Sequence, residues 1–205
     1  MKKTLLICFC VVGFCLQAQT YSEKDFKQTV SQVNTAKTEN DYETIFQKFS
    51  VFTSTKPAEK WDAYYYAAVA MYMKAELQLK KSPSADVSNL TALAGKYAHG
   101  GTSASKANSA ETDILLGLIA LQKADVKGAK DVQDNLNLAS QMIAKAQAVS
   151  PENPRLAILK AKLEERSGNK ENAEKLFKKA LTGLETKSTS STAPTWGRQL
   201  IPSMN

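Results

Sequence analysis

The sequence predicts an all-α protein of stacked antiparallel helical hairpins, about seven helices following a cleaved signal peptide. Three observations carry that expectation. Apolar residues recur at steps of three and four along nearly every stretch beyond the leader, the spacing that lines one face of an α-helix. Prolines, glycines and short polar clusters interrupt these stripes at intervals of about one helix length. Between positions 139 and 184 the pattern also repeats itself: Ala139, Ile143 and Ala146 return as Ala173, Phe177 and Ala180, each displaced by about 34 residues. A fixed displacement of that size means one two-helix unit stacked on the next, each burying a face that a lone hairpin would leave in water.

The chain of 205 residues opens on Lys2 and Lys3, then an apolar run from Leu5 to Leu16 that closes on Gln17-Ala18-Gln19, with a small residue at the cleavage point. The run is well short of the roughly 20 apolar residues needed to span a bilayer core. Residues 1–18 therefore read as a signal peptide, and the mature chain is expected to be periplasmic or secreted, with no transmembrane segment. All three cysteines, Cys8, Cys10 and Cys15, fall inside that leader. The mature chain thus has no thiol for a disulfide, a thiolate metal site or a cysteine nucleophile. Lipidation at Cys15 is the alternative fate of the leader, but the bulky Phe14 stands where lipoprotein signals carry a small residue.

Ser22 with Asp25 three residues on has the form of a capping arrangement, and Phe26, Val30 and Val33 continue a helix to about Lys37. Asn40 is placed to cap a second helix, whose Tyr42, Ile45, Phe46, Phe49 and Phe52 make an aromatic stripe. Such a stripe serves either as the core side of a packed helix or as a ligand groove. Pro57 suits the first turn of a third helix, about 57–79. Its Trp61, Tyr65, Ala68, Tyr72, Ala75 and Leu79 line one side, Tyr64 and Met71 widen it, and Ala63, Ala67 and Ala70 let neighbours approach closely. A helix apolar over more than half its circumference belongs at the centre of the fold. Asp86 opens a shorter helix through Leu90, Leu93, Ala94 and Tyr97, which His99-Gly100-Gly101 is expected to end. His99, the single histidine, has no second ligand type converging on it and reads as a cation at a helix end.

After a polar stretch at 102–108, Glu111-Thr112-Asp113 leads into Ile114-Leu115-Leu116-Gly117-Leu118-Ile119-Ala120-Leu121. A glycine inside such a run weakens the helix, so close packing explains it best. The next helix carries Leu138, Ala139, Met142, Ile143, Ala146 and Val149 before Pro151. Pro154 punctuates the start of the one after, with Leu156, Ile158, Leu159 and Leu163 on its apolar side. That helix ends at Ser167-Gly168-Asn169, and the last runs from Glu171 to Leu184. The pair Leu116-Gly117, the series Ala139, Ile143, Ala146, Pro151, and Gly168 followed by Ala173, Phe177 and Ala180 resemble the tetratricopeptide (TPR) repeat. The likeness is close over residues 139–184. Upstream, Gly117 stands about ten residues too far from Ala139, so an insertion containing Gly128 lengthens the join, and Ala157 and Glu164 replace the family's Trp and Tyr. The resemblance implies a TPR-like α-solenoid that holds a protein or peptide on the surface of its stacked hairpins.

Residues 185–194 form a Ser/Thr-rich linker, beyond which Trp196, Leu200 and Ile201 make the chain apolar again. Such a tail either docks back on its own domain, Trp196 covering an open apolar end of the stack, or serves as a recognition segment for another protein. The expected division is 1–18 signal peptide, 19–184 TPR-like helical domain, and 185–205 linker and C-terminal tail.

The formal charge of +7 falls to +5 without Lys2 and Lys3, with acidic and basic residues interspersed. That is not the concentrated basic stripe of a nucleic-acid binder, so no nucleic-acid partner is expected. No nucleophile elbow, phosphate loop, metal helix or dinucleotide fingerprint occurs, and no cofactor, metal or catalytic residue is expected. The leading expectation is a non-catalytic binding module for another protein or peptide, with Trp61, Tyr64, Tyr65, Tyr72, Trp196 and Arg198 as candidate partner-binding residues. An envelope-associated structural protein attracted to acidic polymers is the alternative, and a hydrolase with an unrecognised carboxylate pair is the third.

Overall fold

The computed structural model describes residues 23–56, 59–102, 109–126, 130–187 and 194–203. Eight α-helices succeed one another: α1 (Glu23–Thr35), α2 (Glu39–Thr55), α3 (Lys60–Lys81), α4 (Ser88–Thr102), α5 (Ser109–Asp125), α6 (Val132–Val149), α7 (Pro154–Arg166) and α8 (Lys170–Lys187), followed by a 3-10 turn at Arg198–Leu200. The all-α expectation holds. Against the expectation of about seven helices, the described residues form eight. Residues 1–18, read from the sequence as a signal peptide, and Ser22, Pro57 and Gly128 lie outside the described residues.

Chain neighbours pack in pairs. The widest interfaces join α2 to α3, α3 to α4, α5 to α6 and α7 to α8, while α1 rests lightly on α2 and α3. Between α2 and α4, α3 meets helices on both flanks, and Ala63, Ala67, Ala68, Ala70 and Ala75 are fully buried along it. Small side chains there let helix axes come close, leaving the aromatic residues to fill the gaps. The aromatic stripe of α2 is core, with Tyr42, Ile45, Phe49 and Phe52 all buried. Phe26 of α1 meets Phe49 and Phe52 edge-on at 5.5 and 4.9 Å, and Phe49 stacks on Tyr66 of α3 at 5.3 Å. The repeated small residues also do what their spacing implied: Ala139, Ala146, Ala173 and Ala180 are buried at the hairpin contacts, with Phe177 beside them. Leu138 and Val149, expected on the inner face of α6, stay exposed, since the buried stripe of that helix runs through Ala139, Met142 and Ala146.

Helix boundaries follow local chemistry. Thr38, not Asn40, caps α2: its side chain accepts from the Asp41 N–H, and the Asp41 side chain returns the bond to the Thr38 N–H at 2.9 Å. Asn40 also has an acid three residues on, but that residue, Glu43, pairs with Lys74 of α3 instead. Asn153 caps α7 by accepting from the Arg155 N–H at 2.9 Å, with Pro154 as first helical residue. Gly168, at φ +80°, ends α7 in the left-handed conformation. Asp86 stands outside α4, its side chain accepting from the Ser88 N–H.

The pair Gly100-Gly101 does not end α4, which continues to Thr102. The reason lies in α3. A Cβ on Gly100 would stand 2.5 Å from the Tyr64 ring, and one on Gly101 would touch Tyr64 and Trp61 at 3.5 to 3.6 Å. These glycines make room for aromatic rings instead of terminating a helix. Gly117 works the same way in α5, where an added Cβ would meet Leu159 Cδ2 at 2.6 Å and Met142 Cβ at 3.2 Å.

Two glycine substitutions should therefore differ in sign. Gly117→Ala is expected to destabilise the fold by about 1–3 kcal/mol through overpacking, outweighing the helix propensity of alanine. Gly95→Ala, whose Cβ would find only Lys123 Nζ at 3.9 Å, should stabilise by up to about 1 kcal/mol. Urea unfolding followed by circular dichroism measures both.

Candidate functional site

Alternate helices of an antiparallel stack run in the same direction, so α3, α5 and α7 present their N-terminal ends together. There lie Trp61 and Tyr65 on α3, Glu111 and Thr112 on α5, and Asn153 and Arg155 at the start of α7. All six are buried.

Glu111 is the hub. Its Oε1 accepts from Arg155 Nη2 and Asn153 Nδ2, each at 2.6 Å, and its Oε2 accepts from Arg155 Nε at 2.8 Å and the Tyr65 hydroxyl at 3.0 Å. The bidentate fork matches guanidinium to carboxylate. Burial by itself would raise the Glu111 carboxyl, but the hydrogen bonds and charge of Arg155, with Asn153 and Tyr65, hold it below the usual glutamate range. Burial likewise works against the Arg155 charge, and the Glu111 carboxylate more than restores it. Burial and the neighbouring Glu111 charge raise the Tyr65 hydroxyl well above its ordinary value, so it stays a donor to Glu111. A carboxylate with its oxygens so fully engaged is fitted to hold geometry, not to move protons.

The remaining guanidinium nitrogen faces outward. Arg155 Nη1 donates to the carbonyls of Pro194 and Trp196, at 2.7 and 3.4 Å. The tail therefore docks on its own domain. Trp196 is 1% exposed, its indole N–H donates to the Tyr65 hydroxyl at 2.9 Å, and the Arg155 guanidinium lies 5.9 Å from its ring centre. The rings of Tyr65 and Tyr72 stand 6.3 and 6.5 Å from it. Beneath, Trp61 stacks on Tyr65 at 4.7 Å and donates its indole N–H to Thr112 Oγ1 at 3.2 Å. A buried aromatic of this size removes about 150–250 Å² from water, worth about 4–6 kcal/mol before ordering costs.

From this seat the tail reaches α1. Gln199 Nε2 donates to the Val33 and Asn34 carbonyls at 3.1 and 3.0 Å, and Asn34 Nδ2 donates to Thr195 Oγ1 at 2.5 Å. Leu200 and Ile201 pack against the core. The tail thus joins the first helix of the stack to the seventh, crossing the groove between them.

A separate opening lies towards the C-terminal ends of the same three helices. Here a cleft of about 290 Å³ is lined by Tyr72, Glu76, Gln122, Lys162 and Arg166 among others. Lys162 pairs with Glu76 at 2.6 Å, and Arg166 pairs with Asp125 and donates to the Ala124 carbonyl. Gln122 Nε2 bridges the Tyr72 carbonyl and Glu76.

The residues singled out in the sequence divide sharply. Trp61, Tyr65, Tyr72 and Trp196 converge in the groove. Tyr64 lies elsewhere, half-buried against Gly100 and 5.8 Å from the Tyr97 ring. Arg198 is exposed and pairs with Glu185 at 3.2 Å, a surface contact worth little. Glu111, Asn153 and Arg155 were not recognisable, for they are ordinary polar residues until α5 and α7 bring them together. Among the described residues no group of His, Cys, Asp and Glu could hold a metal ion, and no helix is long and apolar enough to cross a membrane. Comparison with family models, curated proteins and solved structures finds no match to this chain.

Removing one partner of the central pair strands the other in a dry site. Glu111→Gln and Arg155→Met are each expected to cost about 3–5 kcal/mol in urea unfolding. The pH dependence has a definite sign. Glu111 titrates lower in the folded state, so its contribution is complete above its unfolded value of about 4.3 and is lost as pH falls through the folded value. The wild-type stability curve should therefore steepen below about pH 4.3, and Glu111→Gln should lack that component.

Proposed function

We propose that this chain is an exported, non-catalytic binding module with TPR-like hairpins, and that it holds a segment of another protein or a peptide in the groove between α3, α5 and α7. One observation carries the reading: the groove already seats a short length of polypeptide, through an arginine on backbone carbonyls and an aromatic pocket for a single large side chain. Backbone contacts give hold and a side-chain pocket gives choice, the division of labour found where proteins recognise extended chains. The leader agrees with export. The mixed surface charge supports a protein ligand over a nucleic acid.

Crosslinked capture from the native cell envelope, with the full mature chain as bait, tests the reading. A discrete protein or peptide retained at high ionic strength is expected, and Arg155→Met should release it. Recovery of acidic envelope polymers alone, lost as salt rises, would favour the electrostatic alternative.

A further inference from the structure

The chemistry of the occupied groove specifies more than a generic peptide. We infer that its partner is a segment carrying a Trp-Gly pair at a turn, and that residues 194–201 of this chain occupy the partner's place until displaced. The inference rests on the binding-module reading above and deepens it.

Each element of the preference has its own cause. The deepest contact is the indole N–H donating to Tyr65. The Tyr65 hydroxyl is already turned towards Glu111 as a donor, so it offers an acceptor to whatever enters. Phenylalanine and leucine fill such a pocket but leave that acceptor unmet. The next residue must be glycine for two reasons. Gly197 has φ +122°, and a Cβ there would stand 3.2 Å from Ile158 Cδ1 and 3.3 Å from Arg155 Cγ. The carbonyls of the tryptophan and of the residue two before it meet Arg155 Nη1, a contact any sequence supplies.

The edges of the tail are held differently. Thr195, Arg198 and Gln199 are exposed, and their bonds to the Asn34 side chain, the Asn34 carbonyl and Glu185 are open to water, while the Gln199 bond to the Val33 carbonyl is half-buried. The deepest hold is thus at two residues on the groove floor, with Leu200 and Ile201 half-buried against the core beyond them and rims that water can enter, the centre-and-rim arrangement of a bound ligand. A tethered occupant competes at high effective concentration. A free partner therefore binds the intact chain weakly and binds tightly once the tail is weakened.

The test uses the full mature chain and a fluorescein-labelled peptide of residues 194–203 as probe. Trp196→Ala and Gly197→Val chains are first checked for helical circular dichroism and then titrated beside the wild type. At least tenfold tighter binding to both variants is expected, with no binding by a peptide bearing Trp196→Phe. Equal affinity for wild type and variants, or equal binding of the phenylalanine peptide, would overturn the inference. So would loss of helicity in both variants, which would make the tail a fixed part of the fold. A wild-type dimer by size exclusion that becomes monomeric on Trp196→Ala would assign the groove to the tail of a second copy instead. Capture of an envelope partner without peptide binding would leave the binding module standing and remove only the Trp-Gly preference. Peptide binding without any envelope partner would do the reverse.

Discussion

An ion pair withdrawn from water sets the terms for this structure. Glu111 and Arg155 lie 44 positions apart on α5 and α7, and neither can be buried without the other. Their union does more than neutralise charge. It orders Asn153, which caps α7, and Tyr65, which belongs to α3, so three helices are fixed relative to one another at their N-terminal ends. The position also suits an anion, because Glu111 stands in the first turn of α5, where the exposed N–H groups favour negative charge. Apolar packing alone tolerates sliding between helices. A bidentate carboxylate with four donors does not.

The helices reach that geometry because small residues allow it. Alanines along α3 and at the repeated positions of α6 and α8 bring axes together, and Gly100 and Gly117 admit a ring and a branched side chain where a Cβ would not fit without displacing them. Close approach on the outer contacts leaves the long aromatic side chains of α3 to face inward. A groove floored by Trp61, Tyr65 and Tyr72, with a charged pair set into it, is the consequence. It is both apolar enough to bury an indole and polar enough to bind its N–H and its backbone.

The tail completes that surface and hides it. By spanning from α7 to α1 it connects the closely packed end of the stack to α1, the helix with the thinnest packing of its own. The same contacts that stabilise α1 cover the aromatic floor. Stability and access to the groove are therefore linked through one short segment, and any ligand of the floor acts on the whole stack. A further cleft, at Glu76, Gln122 and Lys162, lies towards the C-terminal ends of the same helices.

How much of this could be read from residues alone follows from the range of each interaction. Stripes at three and four residue steps, a helix start marked by Pro154, and the 34-residue return of Ala139 as Ala173 are local or periodic, so helix placement and the all-α stack were legible. The aromatic floor was legible in part, since Trp61, Tyr65 and Tyr72 fall on one face of one helix, although Tyr64 sits beside them in sequence and turns towards Gly100 and Tyr97 instead. Gly100-Gly101 carried a stop signal that the rings of α3 overrode. The chain by itself determined its helices, its hairpin order and the presence of an apolar tail needing cover. Only the tertiary structure decided that Glu111 meets Arg155, that Arg155 meets the tail, and where Trp196 is buried, because those contacts join residues 39 to 131 positions apart and leave no pattern along the chain.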